Sequence, residues 1–301
     1  MPKVQTTTRS TKKKPPASGR KKSGAKQTAA PMVLPTEPIE AGGDFNDYSF
    51  LIHGVKKIGK TSLALQGGRV LIIQFDPPQR AYERMEVVCE QYDDFLRTLD
   101  ALEKAAASGD YPYDRVVIDR VDIWYDECTR YACRKLAIDH PSDEDFGKGW
   151  AAVSNEFNHG VSRFLRLPGG KMFLCHSTYK PEQDRHGQEV WRLLPNLKKQ
   201  ADEILNGRCD AWFAYAYEGD ERVIITQGNE RTGAGHRIDG HFLTPEGGPV
   251  VTVPAGKSAE EAMQNLKDAF HNNQASTRGV VNRQKVAKKK KSKVQTRTRT
   301  K

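Results

Sequence analysis

Residues Gly54-Val55-Lys56-Lys57-Ile58-Gly59-Lys60-Thr61 fit the pattern G-x-x-x-x-G-K-[ST] without a departure. The two glycines let the backbone curl so that successive N–H groups point inward at phosphate oxygens, and a helix that follows presents its positive N-terminus to them. Lys60 then neutralises the β- and γ-phosphates and the Thr61 hydroxyl coordinates Mg2+, with Ser62 the next polar group in line. Lys56 and Lys57 sit inside the loop, where they either add phosphate contacts or stay solvated. The chemistry implied is the binding of ATP, or a closely related nucleoside triphosphate, with Mg2+.

Such a site also needs a carboxylate at the end of a neighbouring strand to hold the hydration shell of the metal. Asp119 closes the apolar run Val116-Val117-Ile118 and matches this Walker B pattern, although an Asp there can also cap a following helix. Hydrolysis further needs a group that orients the attacking water. Asp76, which ends the run LIIQFD, and Asp122, just beyond Asp119, compete for that role. Asp76 is equally suited to starting the Asp-Pro-Pro turn.

His176, followed by Ser177 and Thr178, ends another apolar run. Ligands of open α/β sheets lie at strand C-termini, so His176 is placed to sense the γ-phosphate, with ordinary loop polarity as the alternative. Arg231 lies in the Gly-rich stretch from Gly228 to Gly235, either as an arginine finger toward a phosphate of its own or an adjacent subunit, or as plain surface.

The elements that must position these residues follow from hydrophobic patterning. Apolar, β-prone runs occupy 48–53, 69–75, 115–119 and 171–176. Helical spacing marks 61–66, 82–107, 125–138, 149–167, 197–205 and 259–270. Residues 178–189 read as a charged loop, and 211–217 with 222–227 as a hairpin about Gly219-Asp220. Alternating strands and helices predict an α/β fold with a mostly parallel sheet flanked by helices and a C-terminal β-hairpin. The expected organisation is a basic tail and linker over 1–43, a P-loop domain over 44–250, a helical extension over 251–277 and a polybasic tail over 278–301.

Charge is distributed unevenly. The 301 residues carry 48 Lys/Arg against 38 Asp/Glu, a net of +10. Residues 1–31 hold nine of the basic residues and 278–301 hold eleven, with no acid in either, so residues 32–277 carry a net of −10. Segments of this composition are expected to be disordered. Polycationic tails are tethers for polyanions, most often nucleic acid, or else solubilising and localisation segments.

Five cysteines without a C-x-x-C pair suggest a reducing compartment and buried thiols rather than a metal site. No apolar run reaches the roughly 18 residues of a membrane span, and the basic start lacks an apolar signal core, so the expectation is no membrane and a cytoplasmic location. A GTPase would carry N-K-x-D; the nearest stretch, Asn196-Leu197-Lys198-Lys199, lacks the Asp.

The order GVKKIGKT, VLIIQFD, RVVIDRVD, MFLCHS and the late AWFAYAYE with VIITQGNERTG resembles the RecA-like P-loop ATPases encoded by bacteriophages. These are AAA-family or phage nucleotide-binding proteins, some of them single-strand-annealing recombinases. The likeness spans roughly residues 46–245. It implies that Gly54, Gly59, Lys60 and Thr61 bind phosphate and Mg2+ and that Asp119 is the Walker B acid. It also places Asp76 where such proteins carry a water-activating carboxylate, usually Glu. It further implies a homo-oligomeric ring or filament on single-stranded DNA, with ATP between subunits, acting in phage recombination or replication. The alternative is a nucleotide-dependent switch or kinase-like protein acting on a protein or small molecule.

Overall fold

The computed structural model describes residues 34–77, 80–184 and 186–273, together with the backbone of 278 and 279. Apart from those two backbone positions, both basic tails lie outside the described residues. The chain divides into two units, Met1–Ala41 and Gly42–Lys301. In the first, the described residues 34–41 contain no helix or strand.

The second unit is built on one sheet. Its strands are β1 (Ser49–Gly54), β2 (Val70–Gln74), β3 (Met85–Val88), β4 (Arg115–Asp119), β5 (Gly170–Gln183), β6 (Glu189–Pro195), β7 (Ala211–Glu218), β8 (Glu221–Ile225), β9 (Gly235–His236), β10 (Val250–Pro254) and β11 (Arg278–Gly279). The helices are α1 (Lys60–Ala64), α2 (Tyr92–Ser108), α3 (Val121–Leu136), α4 (Lys148–Leu165), α5 (Lys199–Arg208) and α6 (Ala259–Phe270). Strand order is β11-β10-β8-β7-β1-β5-β4-β2-β3, with β6 paired to β5 and β9 to β7.

The run from β7 to β3 is parallel throughout. Every residue of β1, β2 and β4 is buried, as expected of strands covered on both faces. Successive side chains alternate between two cores. Leu51, Val116 and Ile118 join Phe95, Trp124, Phe157 and Phe164 of α2, α3 and α4, whereas Phe50, Ile52 and Val117 join Leu63 of α1 and Phe270 of α6. Parallel register brings the C-terminal ends of the central strands to one edge: Gly54 lies beside His176, and Gln74 beside Asp119.

Arg115, fully buried at the start of β4, donates from Nη1 to the carbonyls of Ala64 and Gln66 at 3.1 and 3.0 Å. These carbonyls lie at and just beyond the end of α1, so the P-loop helix is tied to the strand that carries Asp119.

Three elements differ from the sequence expectation. Residues 82–91 are not helical: Met85–Val88 pairs with β2, and α2 starts only at Tyr92, where the Asp94 side chain accepts from the amides of Glu90 and Gln91. Residues 178–183 are not loop but the continuation of β5, paired antiparallel with β6 from Ser177–Pro195 to Gln183–Glu189. This arm leaves most of its charged and aromatic side chains in water, so its composition resembles a loop. Residues 250–254 extend the sheet as β10 against β8, and α6 packs on the same core as α1.

All five cysteines are buried and free. Among the described residues no cluster of His, Cys, Asp and Glu could hold a metal, and no helix is long and apolar enough to cross a membrane.

Candidate functional site

The P-loop leaves β1 at Gly54, where a Cβ would sit 2.5 Å from the Tyr215 carbonyl oxygen of β7, so only glycine fits. Gly59 has φ of 111°, a left-handed conformation that L side chains rarely adopt, and it turns the chain into α1 with no side chain capping the helix start. The loop curls around a cleft of about 420 Å3 lined by Lys56, Lys57, Gly59, Lys60, Thr61 and Ser62, with Asp76, Tyr82, Asp119, Arg120 and His176 opposite. Ile58 points into the core, and half-exposed Val55 lines a different groove.

Lys60 is buried and folds back over its own loop. Its Nζ donates to the carbonyls of Gly54 and Val55 at 2.9 and 3.0 Å and to His176 Nδ1 at 3.2 Å. Burial lowers its pKa, and the negative charge of Asp119 works in the opposite direction. Thr61 Oγ1 donates to Asp119 Oδ2 at 2.6 Å. Burial raises the Asp119 pKa, with the Thr61 hydrogen bond and Lys60 opposing it. A hydroxyl and a buried carboxylate facing each other at the phosphate cleft are hard oxygen donors, the set that Mg2+ takes when it keeps several waters. The residues therefore fit the metal that the motif implies, and Thr61 and Asp119 would hold it.

Asp76 and Asp122 both come to this end of the sheet, but neither is free. Arg120 bridges them, with Nη1 to Asp76 Oδ2 at 3.0 Å and Nη2 to Asp122 Oδ2 at 2.6 Å. Asp76 lines the cleft, whereas Asp122 faces a neighbouring hollow with Tyr125 and Lys198. His176 lines the cleft, its pKa pushed down to about 4 by burial and by Lys60 and Arg120.

Arg231 lies outside the cleft. Its backbone is pinned by Asn229 Oδ1 and by the Leu193 amide, and it lines a second groove of about 770 Å3 with Val55, Tyr179, Trp191, Tyr217 and Ile225. The three aromatic residues are 61%, 56% and 55% exposed. His53 bonds to Ser177, the residue after His176, and to the loop that carries Arg231. It is fully buried in β1, Nε2 faces the Gly233 carbonyl at 2.8 Å and Nδ1 faces Ser177 Oγ at 2.9 Å. A carbonyl accepts only, so Nε2 carries the proton and Nδ1 accepts from Ser177.

Two cleft residues were not anticipated. Arg120 could have been noticed as the cation between the two acids in Asp119-Arg120-Val121-Asp122. Tyr82, whose hydroxyl accepts from Ser62 Oγ at 2.7 Å, carries no local signal because its segment reads as helix.

A parallel sheet with a P-loop at the end of β1 and an acid at the end of β4 defines a P-loop nucleotide-binding ATPase domain. The chain belongs to the family described as AAA domain, whose model matches residues 46–238. It is also similar to the SPbeta prophage-derived uncharacterized protein YorG of Bacillus subtilis (strain 168), with 22% identity over 156 residues, covering 51% of this chain and 48% of that protein. The match spans about half the length of the relative.

Proposed function

We propose that this protein is a Mg2+-dependent ATPase of bacteriophage type that acts on single-stranded DNA in recombination or replication, in the cytoplasm of the host and as a homo-oligomer. In this reading Lys60 binds the β- and γ-phosphates, the His176 Nε2–H donates to the γ-phosphate, and Thr61 and Asp119 hold the metal. Mg2+ supplies charge neutralisation at the transferring phosphoryl group. Asp76, which unlike Asp122 lines the cleft, orients the attacking water. Tyr82, beyond Ser62 on the cleft wall, offers a ring face to the base of the nucleotide. Arg231, remote from its own cleft, serves as the arginine finger of a neighbouring subunit or contacts the DNA.

The observation that carries the DNA assignment is the position of Val55. It belongs to the P-loop and also lines the groove of exposed aromatic residues. Bases stack on aromatic faces with about 1–3 kcal/mol each and little regard for sequence, the behaviour expected of a single-strand site. The missing positive charge comes from the tails. Eleven Lys/Arg occur from residue 278 onward, and β11, the last described strand, lies two strands from β8, whose Ile225 lines the groove. His53 provides the coupling, since one buried side chain joins the P-loop strand, the residue after His176 and the loop that carries Arg231.

A second reading, a nucleotide switch that grips a protein partner, is favoured by the net charge of −10 over residues 32–277 and by Glu189 and Glu218 at the groove. The deciding experiment is ATP turnover with and without single-stranded DNA for the wild type, Lys60→Ala and a form lacking both tails. Stimulation by DNA that Lys60→Ala abolishes supports the DNA-acting ATPase. Turnover indifferent to DNA in every form sinks it and favours the protein partner.

A further inference from the structure

Arg120 sits where the two candidate water-orienting acids meet the phosphate cleft. Nε and Nη2 donate to Asp122 at 3.1 and 2.6 Å, and Nη1 donates to Asp76 at 3.0 Å. A guanidinium carries five N–H donors, so these bonds leave two. Burial alone would lower the basicity of Arg120, but its ion pairs with Asp122 and Asp76 outweigh burial and raise it. The two partners are unequal. Asp122 holds two nitrogens from the first turn of α3, while Asp76, reaching in from beyond β2, holds one. Only Asp76 and Arg120 of the three line the cleft.

We propose that Arg120 is a γ-phosphate-responsive clasp: its Nη1 pairs with Asp76 until a triphosphate binds and then turns to a γ-phosphate oxygen, releasing Asp76 to orient the attacking water. The proposal rests on the reading of the cleft as an ATP site. A phosphate group carries more negative charge than a carboxylate and accepts the planar N–H fork of arginine in the same geometry, so it competes for the donor on equal stereochemical terms. Asp122 is the anchor that keeps the guanidinium at the cleft during the exchange. While Asp76 Oδ2 accepts from Arg120, that oxygen is engaged by a cation instead of water. ADP lacks the competing group and leaves the clasp closed.

Competition has a thermodynamic signature. Asp76 and the γ-phosphate share one donor, so removing the acid must strengthen triphosphate binding and leave diphosphate binding unchanged. A merely structural tie predicts no such asymmetry.

The test is titration of the full-length protein with fluorescent ADP and with a fluorescent non-hydrolysable ATP analogue, alongside ATP turnover. Asp76→Asn is expected to bind the triphosphate about tenfold more tightly, the scale of one charge-assisted hydrogen bond, with ADP affinity unchanged and kcat reduced. Arg120→Ala is expected to weaken the triphosphate by about the same factor without affecting ADP, and Arg120→Lys to recover part of that loss. If Asp76→Asn and Arg120→Ala shift both nucleotides in parallel, or neither, Arg120 only ties two acids together and the clasp is overturned. Should Arg120→Ala fail to fold, the near-isosteric Asp76→Asn decides alone. A wild type that binds neither nucleotide refutes the ATP reading itself, a result distinct from parallel shifts in a protein that binds both.

Discussion

Lys60 Nζ donates to His176 Nδ1 at 3.2 Å across the mouth of the P-loop. An ammonium has no acceptor to offer, so His176 is the Nε2–H tautomer, and its pKa of about 4 keeps it neutral at physiological pH. A neutral imidazole with one donor left can bond a phosphate oxygen without adding a proton that titrates. The ring signals of His176 in NMR spectra, assigned by their loss in His176→Gln, are expected to keep neutral-imidazole shifts from pH 8 down to about 5. A transition near pH 6.5 would refute the contact. His176→Ala is expected to lower kcat by about tenfold or more, and His176→Gln to retain part of it, since an amide can accept from Lys60 and still donate.

Thr61 and Asp119 meet at 2.6 Å, and a metal at that place would use both oxygens. Mg2+ is therefore expected to strengthen ATP binding in the wild type and to do nothing for Asp119→Asn, with EDTA abolishing the difference. Thr61→Ser should keep most of the effect and Thr61→Val should lose it, because the hydroxyl and not the methyl is the ligand. Nucleotide titrations at varied Mg2+ check this. An Asp119→Asn protein that still responds fully to the metal would move the metal site elsewhere.

How far sequence reading reaches differs between these residues. The P-loop is contiguous and its neighbours in space are the ends of apolar runs, so spacing and strand position point to Lys60, Thr61, Asp119 and His176, which the structure brings to one cleft. β4 and α6 matched for the same reason, since each is a clear periodic or unbroken apolar pattern. Arg120 was passed over because its role depends on Asp76, far away in the chain and brought near only by the pairing of β2 with β4. The arm of β5 and β6 was hidden because Tyr179 and Trp191 face solvent among charged neighbours, so beyond Leu193 and Leu194 no dry face reveals it. For Arg231 the loop chemistry leaves an arginine finger and plain surface both open, and the bridge between Leu193 and Thr232, which carries that loop to the aromatic groove, has no local signal in the sequence.

Those exposed rings are the test of the groove. Trp191→Ala and Tyr179→Ala are each expected to weaken single-stranded DNA by about fivefold to a hundredfold, the range of one stacked base, while ADP affinity stays at the wild-type value. Removing the tails should instead flatten the dependence of DNA affinity on salt, since phosphate neutralisation and not stacking is lost. Fluorescence anisotropy with a labelled oligonucleotide at several salt concentrations separates the two effects. DNA binding unaffected by both ring substitutions would place the strand elsewhere.

His53 makes stability depend on pH with a definite sign. Its pKa is lowered from 6.5 to about 4, first by burial, with Lys60 adding to the fall and the Gly233 hydrogen bond opposing it. Above pH 6.5 the ring is neutral in both folded and unfolded chains, and the stability it contributes is fully present. Between 6.5 and 4 the unfolded chain takes up a proton that the folded chain refuses, so stability falls with pH and the loss is complete once the folded pKa is passed. A shift of this size in a fully buried ring corresponds to about 3 kcal/mol. Asp119, whose pKa is raised, acts in the opposite direction, so the comparison must be made between variants and not read from one curve. His53→Gln can donate to Gly233 and accept from Ser177 without titrating. Urea unfolding from pH 8 to 4 is expected to show the wild type losing stability over this window more steeply than His53→Gln. Parallel curves would mean that the histidine is not held neutral, and the buried link between the P-loop strand and the Arg231 loop would have to be redrawn.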